Sequence, residues 1–352
     1  MERLGAAIAK VISGSWRPVL SRPVSITLEE LSPIVPLLLG NGTAALAWRR
    51  LNSFAHDGQS LLDLKNAYRQ FSIEAALHEM NVCDIFRRAR AAGIEPILFK
   101  GWALARLYPD DGLRPYGDID LWMTANDLPR FNTVLSLRND SGYCVEPHGS
   151  FYPSYERSFA DVMSRSKLVR LDKVQVRVPC DEDHLRFICL HFLFHGGWRP
   201  LWLCDIALMV ESAGADFDWD RCLSGKRKHA DWIACTIGLA HQLLGADVRG
   251  TAVERRAHNV PAWLSTALLR QWGKGSGMSG VEKLSLSLPA RLRERKKIIS
   301  ALREHWRNPI QASVEMNASF GSSPRSMWQI SSAVSRLPAF AEQLARDVLK
   351  AQ

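Results

Sequence analysis

The sequence predicts an α+β protein, with a small mixed β-sheet preceded by N-terminal helices and followed by a helical C-terminal domain. Three observations lead there. Between residues 94 and 178, short apolar or alternating runs are separated by turn residues, which is the signature of strands. After Asp181 the apolar spacing is almost wholly helical. Before residue 60, short helical stretches are punctuated by Pro23, Pro33, Pro36 and Gly40-Asn41-Gly42. The chain divides accordingly into an N-terminal helical segment (1–60), a sheet-bearing domain (61–180) and a helical domain (181–352).

Each element follows from its own stretch. Residues 61–93 carry apolar side chains at helical spacing (Leu64, Tyr68, Phe71, Leu77, Val82, Ile85, Phe86) and end on Gly93, a fitting cap for one long amphipathic helix. "IEPILF" (94–99) reads as a strand, Lys100-Gly101 as a turn, and "WALARLY" as a helix that stops at Pro109. "YGDIDLWM" is a second strand, "NDLPRFNTVLSL" (126–137) a helix, "SGYCVEPHGSF" (141–151) a third strand and "VRLDKVQVRV" (169–178) a fourth. Helices are expected over 181–198, 201–211, 232–244, 261–272, 290–306 and 328–349.

Composition narrows the class of partner. Forty-five Lys and Arg against 36 Asp and Glu give a net charge of +9, which suits an anionic ligand. Seven cysteines form no CxxC pair and mostly sit in apolar runs, as free thiols of a cytoplasmic protein would. The first 16 residues carry Glu2, Arg3 and Lys10 and do not read as a signal peptide, and no run is apolar enough for a transmembrane segment.

The densest chemistry lies in "FKGWALARLYPDDGLRPYGDIDLWM" (99–123). On a strand, Asp118 and Asp120 share one face while Ile119, Leu121 and Met123 take the other. Two carboxylates side by side suit hard cations, and two-metal sites for phosphoryl transfer set their ions about 3.5–4 Å apart. Gly101 lets the backbone approach a phosphate, the following helix aims its N-terminus at the anion, and Lys100 and Arg114 add cationic contacts. These parts together describe a site for a nucleoside triphosphate and its metal ions.

Lys100-Gly101, Tyr108-Pro109, Arg114-Pro115 and Gly117-Asp118-Ile119-Asp120-Leu121 resemble the signature of the uncharacterised nucleotidyltransferase family of the DNA polymerase beta-like superfamily. The likeness continues through "HLRFICLHFLFHGGWRPLWLCDIALMVE" (184–211) and covers about 61–244. It implies a nucleotidyltransferase domain over 61–180, with Asp118 and Asp120 as catalytic metal ligands for two Mg²⁺ ions and a third carboxylate on a neighbouring strand. It also implies an NTP substrate, ATP in the first instance, an unidentified hydroxyl acceptor, and triphosphate contacts from Lys100, Gly101 and Arg114. Two segments compete for the third acid. "VEPHGSF" offers Glu146 with His148, but Pro147 interrupts that strand; "VQVRV" lies at the expected spacing and is preferred, yet puts Gln175 where the acid belongs. With Glu146, the site catalyses transfer; with Gln175, the chain binds nucleotide without efficient turnover.

Other groups read more plainly. His191 and His195 share a helix face and are expected to brace the helical domain against the sheet or to touch substrate, with Asp205 accepting a hydrogen bond from one of them. Trp198 and Trp202 read as core rather than as stacking platforms. The basic stretch 291–307 reads as a solvated helix face; RNA binding, and with it an RNA-directed transferase, is the less favoured alternative.

Overall fold

A computed structural model of the chain describes residues 1–20, 24–52, 58–136, 144–151, 153–274, 306–321 and 325–336. Helix α1 (Glu2–Ile12) and α2 (Ala44–Leu51) flank three short consecutive helical pieces, Leu28–Leu31, Ser32–Ile34 and Val35–Gly40, that hold Pro33 and Pro36. The amphipathic run forms one unbroken helix, α3 (Gln59–Ala91), which Gly93 terminates at φ +72°.

Strand β1 (Ile97–Leu98) leads through the Lys100-Gly101 turn into the single-turn helix α4 (Trp102–Ala105) and on to β2 (Asp118–Trp122). After α5 (Leu128–Ser136) comes β3 (Cys144–His148). The sheet has the order β1-β2-β3, antiparallel on one side of β2 and parallel on the other. Its two faces pack against different cores. Leu98, Ile119, Leu121 and Met123 meet Val82, Ile85, Phe86 and Ala89 of α3. Ile97, Phe99 and Trp122 belong to the larger core, which runs from Ile8 in α1 to Phe320. Strand alternation thus sets Asp118, Asp120 and Trp122 against the face of the larger core.

The expected fourth strand is a two-stranded hairpin, β4 (Lys167–Leu171) and β5 (Val174–Val178). Asp172, at φ +50°, makes the tight turn between them. A left-handed position suits Asp, whose short polar side chain tolerates that region.

Beyond it lie α6 (Asp181–Phe194), α7 (Pro200–Glu211), α8 (Arg227–Leu244) and α9 (Ala262–Trp272), then α10 (Pro309–Glu315) and α11 (Arg325–Ser335). Asp181, Glu182 and Asp183 in the first turn of α6 favour its start, and Gly245 closes α8 in the left-handed conformation. Residues 328–335 of the expected helix 328–349 fall within α11, whereas residues 290–305 of the expected helix at 290–306, the basic stretch up to residue 305 and residues 337–349 lie outside the described residues. Phe187 of α6 joins the sheet through rings: Phe99 lies 4.8 Å from it and from Phe151, and Trp122 lies 5.0 Å from Phe151. The two Phe99 pairs are edge-on, an arrangement that adds about 0.5–1.5 kcal/mol each beyond area burial. No helix among the described residues is long and apolar enough to cross a membrane.

Candidate active site

Asp118 and Asp120 project from β2 into one cavity of about 780 Å³, whose walls also include Lys100, Glu146, His148, His191, His195 and Arg199. Lys100 follows β1 and brings its Nζ to 2.8 Å from Asp120 Oδ1 and 4.0 Å from Asp118 Oδ2. Asp120 is 1% exposed. Burial pushes its carboxyl pKa up, but the His148 contact and the Lys100 charge pull harder, and the net position is below the ordinary value. Its second oxygen, Oδ2, is buried without a hydrogen-bond partner.

The strand beside this pair is the one that carries Glu146. In the parallel register of β2 and β3, Asp120 stands opposite Glu146 and Trp122 opposite His148. His148 Nε2 lies 3.1 Å from Asp120 Oδ1 and 4.0 Å from Glu146 Oε2. Ligand atoms of Asp120, Glu146 and His148 fall within 4.8 Å of one another, close enough to share a metal ion. Burial and the neighbouring Asp120 and Asp118 charges hold the Glu146 carboxyl above its usual range, a position that a bound cation would reverse.

The sequence-based preference for "VQVRV" is not matched by this arrangement. Strand β5 pairs with β4, where Gln175 is exposed opposite Arg170, away from the cavity. Pro147 does not exclude β3, because β3 is an edge strand. The His148 carbonyl accepts from Met123 N–H, so by alternation the nitrogen of Pro147 faces away from β2 and costs the ladder nothing.

Arg114 also sits elsewhere than expected. It is 4% exposed and does not border the cavity; its Nε and Nη2 donate to the two oxygens of Asp205 at 2.7 and 2.9 Å, and Nη1 donates to the Gly101 carbonyl at 3.2 Å. Burial opposes the guanidinium charge, yet the Asp205 carboxylate outweighs it and raises the pKa. Tyr108 donates to the same carboxylate at 2.8 Å. Asp205 therefore receives Arg114 and Tyr108 rather than a histidine. Gly101, at φ +57°, is held from behind by this pair; a Cβ there would meet the Asp118 carbonyl at 3.1 Å. The helix after it is four residues long, too short for the dipole effect that a full helix would supply.

The facing wall is aromatic. The rings of His191 and His195 lie 4.4 Å apart, and Trp202 meets His191 edge-on at 4.6 Å. Burial, then the Lys100 charge, holds the His191 imidazole well below its ordinary value. Phe151, Phe187 and Trp198 complete this side. Phe151, Phe187 and Arg199 carried no motif of their own; the only signal was their place beside His148, within the 184–211 segment, or next to Trp198.

No curated protein and no solved structure matches the chain. A family profile described as uncharacterised nucleotidyltransferase matches residues 33–148 and 138–245. The two matches together span more than half of the 352 residues, and the chain belongs to that nucleotidyltransferase family.

Proposed function

We propose that the protein transfers a nucleoside monophosphate from a nucleoside triphosphate, ATP in the first instance, to a hydroxyl acceptor with Mg²⁺ as cofactor. One observation carries this reading: Glu146 stands opposite Asp120, whose inner oxygen is buried with no donor. A carboxylate oxygen left so is costly unless a cation occupies the place. Asp118 and Asp120 would hold two ions between them, with Glu146 as the third acid and His148 at its side. When bound, the ions would neutralise triphosphate charge and lower the pKa of the acceptor hydroxyl.

The chain's own residues do the rest. Lys100, set against both aspartates, supplies a point charge for a phosphate oxygen. The Arg114–Asp205 pair holds the Gly101 turn, and so fixes where Lys100 starts. Neutral His191 can donate or accept at the acceptor without adding charge, while Phe151, Phe187 and Trp202 keep water from the reacting groups. A third acid in place favours turnover over binding alone. All seven thiols are free, in keeping with a cytoplasmic setting.

The test uses each of the four triphosphates labelled at the α-phosphate and, in parallel, at the γ-phosphate, with Mg²⁺ and lysate fractions depleted of small molecules or of macromolecules. The α-label should enter one fraction while the γ-label leaves in pyrophosphate, and Asp120→Asn and Glu146→Gln should each lower this by about 10²-fold or more with little change in melting temperature. Transfer of a γ-label alone would replace nucleotidyl by phosphoryl transfer. Transfer of neither label by the wild type would overturn the reading.

A further inference from the structure

With Arg114 committed to Asp205, the cavity needs another guanidinium if an anion is to be gripped at two points, and Arg199 has the right surroundings. It borders the same cavity as Lys100 and the three carboxylates. Its Nε donates to the Asn41 carbonyl at 3.1 Å and its Nη2 reaches the Pro115 carbonyl at 3.5 Å. Among the described residues no carboxylate pairs with it, whereas Arg114 has Asp205 and Lys100 has Asp120. A guanidinium has five N–H donors in a fixed fork, and two carbonyls leave part of that fork unused. Burial, followed by the neighbouring Arg114 charge, pushes the Arg199 pKa down to about 10, so the group still carries its charge at neutral pH.

The place is built around this side chain. Asn41 Oδ1 accepts from the backbone N–H and the hydroxyl of Thr43, at 3.2 and 2.5 Å, and so fixes the turn whose carbonyl holds Arg199. Gly42 adopts φ +76°, and a Cβ there would lie 2.6 Å from Arg199 Nη2. The glycine makes room for the guanidinium. From the other side, the Trp202 ring lies 5.9 Å from its Cζ. These contacts orient a cation that, among the described residues, forms no ion pair with a carboxylate, Asp205 and Asp118 acting on it only from a distance.

We infer that Arg199 is the guanidinium that binds the pyrophosphate portion of the triphosphate, with the Gly40–Gly42 turn of the N-terminal segment as its support. The inference rests on the proposed nucleotide site and deepens it. Phosphate oxygens would take the unused N–H groups, a charge-assisted contact that a lysine matches in charge but not in its fork.

Titration calorimetry with Mg²⁺-pyrophosphate and Mg²⁺-tripolyphosphate on wild type, Arg199→Gln and Arg199→Lys tests this. Affinity should fall about 10- to 100-fold in Arg199→Gln and by less in Arg199→Lys. Binding of Mn²⁺ at the acidic cluster, followed by electron paramagnetic resonance, should stay the same in both. Should Arg199→Gln fail to fold, Arg199→Lys decides by itself. Unchanged pyrophosphate affinity in the variants, or no affinity in the wild type, overturns the inference. Arg199-dependent pyrophosphate binding without any label transfer would retain the anion site and remove the proposed reaction; transfer that ignores Arg199 would do the reverse.

Discussion

Arg114 shows how the same residue type changes meaning with its partner. It is 4% exposed and bidentate with Asp205, a residue 91 positions later in the chain. Removing one member of such a pair leaves a buried uncompensated charge, which costs about 3–5 kcal/mol, while replacing both by apolar groups of similar size can be close to neutral. Arg114→Met should therefore lower unfolding free energy by that amount in urea titrations, and Arg114→Met with Asp205→Leu should regain much of it. If the single change left stability intact and raised only the nucleotide KM, Arg114 would be a ligand contact after all. The Asp118/Asp120 pair was legible because a strand's period of two is a local rule. The partner of Arg114 was not, because a contact across 91 residues has no local trace.

At the scale of elements, the site depends on what joins β1 to α6. His184, 2% exposed, bonds through Nε2 to the carbonyl of Phe99, the residue before Lys100. Burial pushes its imidazole pKa down to about 3 from the ordinary 6.5. The folded chain thus keeps His184 neutral where the unfolded chain takes up a proton, so the stability it contributes is complete above about pH 6.5 and is lost as pH falls from there toward 3. His184→Gln keeps an N–H for Phe99 and removes the titration. Its melting temperature should decline less steeply than that of the wild type between pH 6.5 and 4, and an identical decline would show that His184 does not set the acid limb. Helix and strand existence was readable from periodicity here, including α3, β2 and α6. The identity of the strand beside β2 was not. Pro147 looks disqualifying in isolation, and only its position on an edge, with its nitrogen turned outward, makes it harmless.

Across the whole molecule, the N-terminal segment is tied to the helices that follow the sheet and, through one core, to the sheet itself. Helix α1 packs on α9, and Gly5 approaches it so closely that a Cβ would lie 2.0 Å from the Leu269 carbonyl oxygen. Ile8, Ile12 and Trp16 share one core with Leu264, Leu268 and Trp272, and the same core reaches Phe99 and Trp122 beneath the aspartates. Prolines and glycines break the periodicity of residues 1–60 in the sequence, and the core that their buried apolar side chains join has no local trace there. The packing leads to a specific expectation. Gly5→Val must push α1 away from α9, an overpacking that costs about 1–3 kcal/mol, and because the core is continuous the loss should appear everywhere at once. Thermal unfolding followed by far-ultraviolet ellipticity and by tryptophan fluorescence should shift down together, in one transition. Two separated transitions, with only the first moved by Gly5→Val, would mean that α1 and α9 fold as a unit apart from the sheet, and that the turn holding Arg199 is anchored by the sheet rather than by the helical core.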